Sequence, residues 1–111
     1  MKAEELRLGN WYQWYAEGKY YYGQIQAKDF VSDYILNFEP IPLSEEVLLK
    51  CGFVRDGNTD YYTCRKVGFT INLSGTIGYR TCIWSNEHIK HIHQLQNLFY
   101  DITGEELEVS I

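Results

Sequence analysis

The chain is poor in the residues that mark specialised architectures. Its 111 residues include only two prolines, one methionine and three cysteines. Without a Gly-X-Y period, a sustained heptad or a low-complexity tract, collagen, coiled coil and disorder are excluded. No apolar run approaches the roughly 20 residues that a membrane span needs. The opening stretch, 1–7, is charged rather than basic and then apolar, so no signal peptide is expected and the chain reads as cytoplasmic. Positive charge is scarce as well: 10 Lys and Arg stand against 15 Asp and Glu, a formal charge of -5. Both halves are negative, and the one basic grouping is Arg55, Arg65, Lys66 and Arg80. That disfavours duplex nucleic acid, whose phosphates need clustered cations. Cys51, Cys64 and Cys82 are odd in number and form no C-x-x-C pair, which fits free thiols in a reducing compartment. G-x-S-x-G, H-E-x-x-H and phosphate-cradling glycine loops are all missing, so enzymatic activity, metal and cofactor are not expected.

What is abundant is hydrophobic residues, at 45%, with 16% aromatic. A chain of this length buries roughly two-thirds of the surface its unfolded form exposes, enough for a core without disulfides or metal. Stretches 11–15 and 20–26, rich in Trp and Tyr, flank Ala16-Glu17-Gly18-Lys19 and predict a hairpin with a four-residue loop. Pairing Tyr15 with Tyr20 places Tyr12, Trp14, Tyr21 and Ile25 on one face. Trp11, Gln13, Tyr15, Tyr20, Tyr22 and Gln24 then share the other. The first face is the better core. A third strand over 34–39 would complete a small, bent, Src-homology-3-like (SH3-like) barrel.

Pro40 and Pro42 cannot donate backbone hydrogen bonds and keep their neighbours extended, so 39–43 predicts a connector. It divides a β-rich N-terminal part, 1–43, from an αβββα part, 44–111, either as two subdomains or as halves of one shared core. Ser44 offers an N-cap, Glu45 and Glu46 suit a first turn, and Gly52 supplies a stop. The short helix between them buries Val47, Leu48 and Cys51. Strands follow over 61–67, 69–73 and 77–84, a three-stranded meander with Phe69, Ile71 and Leu73 on one side. Ser85 or Asn86 would cap a long helix running to Ile102 and ended by Thr103-Gly104. Its stripe of Ile92, Leu95, Leu98, Phe99 and Ile102 packs on the sheet, with Lys90, Gln94, Asn97 and Asp101 opposite. Leu107, Val109 and Ile111 alternate as a final strand. The fold class is α+β.

Three segments carry a resemblance: Leu6-Arg7-Leu8-Gly9-Asn10, then Glu39-Pro40-Ile41-Pro42-Leu43-Ser44-Glu45-Glu46 with Leu49 and Gly52-Phe53, and His93-Gln94-Leu95-Gln96-Asn97-Leu98-Phe99-Tyr100 followed by Thr103-Gly104-Glu105-Glu106-Leu107. On these the chain resembles a family of short uncharacterised proteins encoded by gut bacteria and their phages. The resemblance frames most of the chain, leaves 55–86 unmatched, and implies a bacterial or phage cytoplasmic protein. It transfers no catalytic residue.

Four constellations invite a chemical reading. His88, His91 and His93 offer imidazoles, but on a helix His93 points about 200° from His91, so the three do not converge on one ion. Asp56, Asn58 and Asp60 begin like a calcium loop, yet Tyr61 and Val67 occupy the positions that require Gly and Glu, which leaves a turn. Glu45 with Glu46, and Glu105 with Glu106, are adjacent and diverge instead of sharing a substrate.

Two surfaces remain for binding. One is the outer hairpin face, Trp11, Tyr15, Tyr20 and Tyr22, unless the C-terminal half folds over it. The other is the amide-rich helix face, His93, Gln94 and Asn97, whose plainer reading is a solvated surface. The leading expectation is a non-enzymatic protein-interaction module. The alternatives are a small-ligand binding or sequestering protein, in which Trp and Tyr stack and Arg65 or Arg80 meets negative charge, and single-stranded nucleic acid binding. A homodimer with Tyr20 and Tyr22 near its centre is expected, because it hides both the aromatic patch and a strand edge.

Overall fold

The computed structural model describes residues 1, 5–31, 37–86 and 89–111. In chain order its elements are β1 (Trp11–Ala16), β2 (Lys19–Gln24), a short 3-10 helix (Ala27–Val31), α1 (Glu45–Lys50), β3 (Val54–Arg55), β4 (Tyr61–Cys64), β5 (Phe69–Asn72), β6 (Thr76–Tyr79), β7 (Cys82–Ser85) and α2 (Ile92–Thr103). The class is α+β. β1 and β2 form a two-stranded antiparallel sheet, and β3 to β7 form a five-stranded antiparallel meander in chain order.

The hairpin has the expected register, with Tyr15 opposite Tyr20. Its loop is shorter than expected, because Ala16 and Lys19 also pair and leave only Glu17-Gly18 to turn the chain. Both have positive φ, 53° and 83°, the primed turn whose twist matches that of the strands it joins. Glycine adopts that conformation freely, whereas glutamate is strained in it.

Inside the hairpin Tyr12 stacks on Phe38 at 3.8 Å and Trp14 stacks on Tyr21 at 5.5 Å. The Tyr12 ring lies so close to its partner Gly23 that a Cβ there would stand 2.8 Å from the phenol oxygen. Burial, reinforced by the Asp29 carboxylate, raises the Tyr12 phenol above its usual range. Leu6 and Ile25 complete a small cluster here with Met1, Tyr12 and Phe38.

The SH3-like barrel is not what the chain builds: no closed sheet occurs among the described residues. Of the third strand expected over 34–39, residues 34–36 lie outside the described residues. Glu39 makes one bridge to Gln13, with reciprocal backbone bonds of 2.9 and 2.8 Å.

The Pro-Ile-Pro connector is extended and stitched to the approach of α2. Leu43 N donates to the Lys90 carbonyl, Ile92 N donates to the Ile41 carbonyl, and Pro42 bridges His91. This pairing explains why α2 starts at Ile92 and not near Ser85 or Asn86: residues 90 and 91 are held extended. His91 takes the N-cap position, and Gln94 Oε1 accepts the amides of Lys90 and His91. Gly104, with φ 74°, ends the helix as expected.

α1 is capped as the sequence indicates, Ser44 Oγ accepting Val47 N at 3.2 Å. Leu48, Cys51 and, unanticipated, Phe53 are buried behind it.

The meander has five strands rather than three. Val54–Arg55 adds an edge, and the expected strand over 77–84 is two strands folded at Arg80-Thr81, with Arg80 at φ 58°. Neither residue announces a turn. Folding back sets Trp84 beside Ile77 on the covered face, where a straight strand would carry it past the core. Cross-strand pairing puts Tyr62, Cys64, Phe69, Ile71, Ile77 and Tyr79 on that face. α2 lies against it, Phe99 meeting Phe69 edge-on at 5.2 Å. Leu73, expected on the same face, falls beyond the end of β5 and is exposed. The tail forms no strand. Leu107, Val109 and Ile111 still pack on the core in alternation, and Ser110 N donates to the Lys50 carbonyl at 2.9 Å.

Candidate functional site

The outer hairpin face divides into an anchored base and an open tip. At the base, Trp11 is half-buried against the large core, Gln13 Nε2 reaches the Pro40 carbonyl, and Gln24 Nε2 reaches the Gly9 carbonyl. At the tip, Tyr15, Tyr20 and Tyr22 are 60%, 49% and 45% exposed. Tyr15 and Tyr20 meet edge to face, 5.1 Å between centroids. Three of the four expected aromatics therefore share an open surface, and Trp11 leaves it to serve the core. The C-terminal half does not fold over the tip.

The Glu39 bridge occupies the outer edge of β1 at Gln13, whereas β2 has no strand partner beyond β1 among the described residues. In a two-residue hairpin the residues next to the closing pair, and every second one after, point their amides outward. In β2 these are Tyr20, Tyr22 and Gln24, so exposed phenol rings and an open strand edge coincide.

The amide-rich helix face is used internally. His93 is 2% exposed. Gln94 caps its own helix. Asn97 Oδ1 accepts Asn10 Nδ2 at 2.9 Å, and Asn97 Nδ2 donates to the Glu5 carbonyl at 3.2 Å. Sequence reasoning missed the centre of this network, Gln96, which is buried. Its Oε1 accepts Trp11 N at 2.8 Å, its Nε2 donates to the Gly9 carbonyl at 3.1 Å, and its own carbonyl accepts Arg7 Nη2 at 3.0 Å. Arg7 also pairs with Glu106 and lies over the Tyr100 ring. The only signal available was that 6–10, 93–100 and 103–107 carried the family resemblance; here those segments lock together.

Arg65 and Arg80 are not brought to the hairpin's aromatic rings. Arg80 sits at the β6–β7 turn over Tyr79. Arg65 lines an open cavity of about 280 Å³ with Cys51, Cys64, Phe99 and the 105–108 tail, and no Trp or Tyr among the described residues lines it. Burial pushes the Cys51 thiol there up to about 12, so it stays protonated and unreactive at neutral pH. Of the histidines, His88 lies outside the described residues. His91 and His93 stack ring on ring, 5.9 Å apart. Among the described residues no three His, Cys, Asp or Glu are placed to hold a metal ion.

The outer face of the meander is a second surface that the sequence did not flag. Val54, Thr63, Thr70, Gly78 and Ile83 lie side by side across it, with Ile83 77% exposed. The Thr63 and Thr70 hydroxyls are hydrogen-bonded at 3.2 Å. No helix of the described residues is long and apolar enough to cross a membrane. No protein-family model, curated protein or solved structure matches the chain.

Proposed function

We propose that the chain is a non-enzymatic protein-interaction module that binds through the tip and open edge of its hairpin. The observation that carries this is the coincidence of Tyr15, Tyr20 and Tyr22 on one exposed face with an edge of β2 that has no strand partner among the described residues. Tyrosine suits such a site because its ring supplies rigid contact area while its hydroxyl tolerates water in the free state. An added strand would satisfy the outward amides of β2, and the rings would select its side chains. The bacterial or phage origin rests on the family resemblance alone, and the free thiols of Cys51, Cys64 and Cys82 also fit a cytoplasmic setting.

Area limits what the tip does alone. The exposed parts of three tyrosines come to roughly 300 Å², below the ~800 Å² per partner of a standard stable interface. A homodimer built on Tyr20 and Tyr22 is accordingly weak, forming at high micromolar concentration, and a longer peptide strand is the better occupant.

The test is native mass spectrometry of the chain from its own host, with the Tyr20→Ser, Tyr22→Ser variant in parallel. A partner chain held by the wild type and lost by the variant supports the reading. A retained small molecule with no partner chain overturns it in favour of ligand binding. Sedimentation velocity on the same pair tests self-association: a wild type monomeric at high micromolar concentration ends the homodimer.

A further inference from the structure

Independent of the hairpin surface, one buried ring among the described residues has no hydrogen-bond partner at either of its polar atoms. His93 is 2% exposed, and both its ring nitrogens are buried without a hydrogen-bond partner. Such a group in a folded protein asks for a reason, because each unmet donor or acceptor disfavours the fold. Its position on α2 supplies one. His93, Gln96, Asn97 and Tyr100 fall at i, i+3, i+4 and i+7 and share one stripe. The last three hold the arm at residues 5–11, through Gln96 to Gly9 and Trp11, Asn97 to Glu5 and Asn10, and Tyr100 beneath Arg7.

We propose that His93 makes the docking of this arm on α2 an acid-sensitive latch, closed while the imidazole is neutral and released when it takes a proton. A neutral ring leaves one donor and one acceptor unmet, whereas an imidazolium leaves two donors unmet and buries a charge. Opening the arm hydrates that charge.

The groups facing His93 from its surroundings are the Glu5 carboxylate on the arm, the His91 ring at the helix cap and the Met1 ammonium, which donates to the Phe38 carbonyl at 2.9 Å. Burial disfavours the cation most strongly. Glu5 opposes that effect, while His91 and the ammonium reinforce it, so the net shift is below the usual 6.5. The open state takes up the proton more readily than the closed one. The latch is therefore fully closed above about pH 6.5 and weakens as pH falls from there towards the lowered value.

Amide exchange of the full chain, followed by NMR from pH 7 to pH 5 as protection factors, tests it. The Trp11 amide, bonded to Gln96 across the arm, loses protection by up to about tenfold per pH unit, the slope of one linked proton. Amides of β5 keep theirs, and His93→Phe abolishes the loss at Trp11. Equal Trp11 protection at pH 5 and pH 7, the same slope in His93→Phe, or a parallel loss in β5 overturns the latch. If His93→Phe does not fold, the wild-type ring decides: a His93 titration midpoint below 6.5, together with Trp11 release, supports the proposal, and a midpoint at or above 6.5 overturns it.

Discussion

The hairpin and the meander are built from similar sequence, alternating aromatic or branched residues with small polar ones, yet they end in different environments. In the meander, Phe69, Ile71 and Ile77 are fully buried because α2 lies across their face. In the hairpin, Tyr15, Tyr20 and Tyr22 stay exposed, and among the described residues the inner face is closed mainly by its own ring stacks and Phe38. Alternation says that a strand has two faces. Whether one of them becomes core depends on an element supplied from far along the chain.

The sharpest way to break that comparison is to truncate one residue from each region. Phe69→Ala empties a site touched by Phe53 and Phe99 and is expected to cost about 3–5 kcal/mol in urea denaturation. Tyr22→Ser on the hairpin tip is expected to stay within about 0.5 kcal/mol. Similar losses for the two would mean that the tip is core after all.

A second substitution tests the joint between the regions. Gln96→Ala leaves the Trp11 amide without its partner and the Gly9 carbonyl with Gln24 Nε2 alone, beside a buried helix face. The expected cost is about 2 kcal/mol, with lost amide protection at Trp11 and little change in β5. An unchanged stability would place the joint in the Arg7–Glu106 pair, whose exposed carboxylate argues for a small contribution.

A small gain in stability is expected at the hairpin turn. Glu17 sits at φ 53°, a conformation that asparagine tolerates better than glutamate. Glu17→Asn should stabilise the chain by up to about 1 kcal/mol, read as a higher urea midpoint. A loss would show that the glutamate side chain has a partner role at the tip.

Much of this architecture was legible. The hairpin register followed from pairing Tyr15 with Tyr20. The α1 cap followed from Ser44, the end of α2 from Gly104, and the buried stripe of α2 from the spacing of Ile92, Leu95 and Phe99. The Arg80-Thr81 turn was not legible, because a left-handed arginine carries no compositional mark and is held there by the pairing of β6 with β7. The start of α2 was misplaced for the same kind of reason: residues 41–43 pair with 90–92 and override local helix signals. The candidate site was half legible. Tyr15, Tyr20 and Tyr22 are exposed together as read, whereas His93 and Asn97 looked solvated only because helical spacing cannot show that another segment lies across them.

By itself, the sequence determined what depends on neighbours along the chain: the hairpin and its register, the apolar face of β5, the cap of α1 and the stop of α2, and that phenol rings gather on one side of the hairpin. Only the tertiary structure decided which apolar faces were covered, which polar stripe of α2 was buried under residues 5–11, and that Trp11 left the aromatic surface for the core. The physical reason is that periodicity and capping are short-range, set by bond geometry and local hydrogen bonds. Burial is a contest among distant segments for the same few faces, settled when Gln96 meets Gly9 and Trp11 and Phe99 meets Phe69.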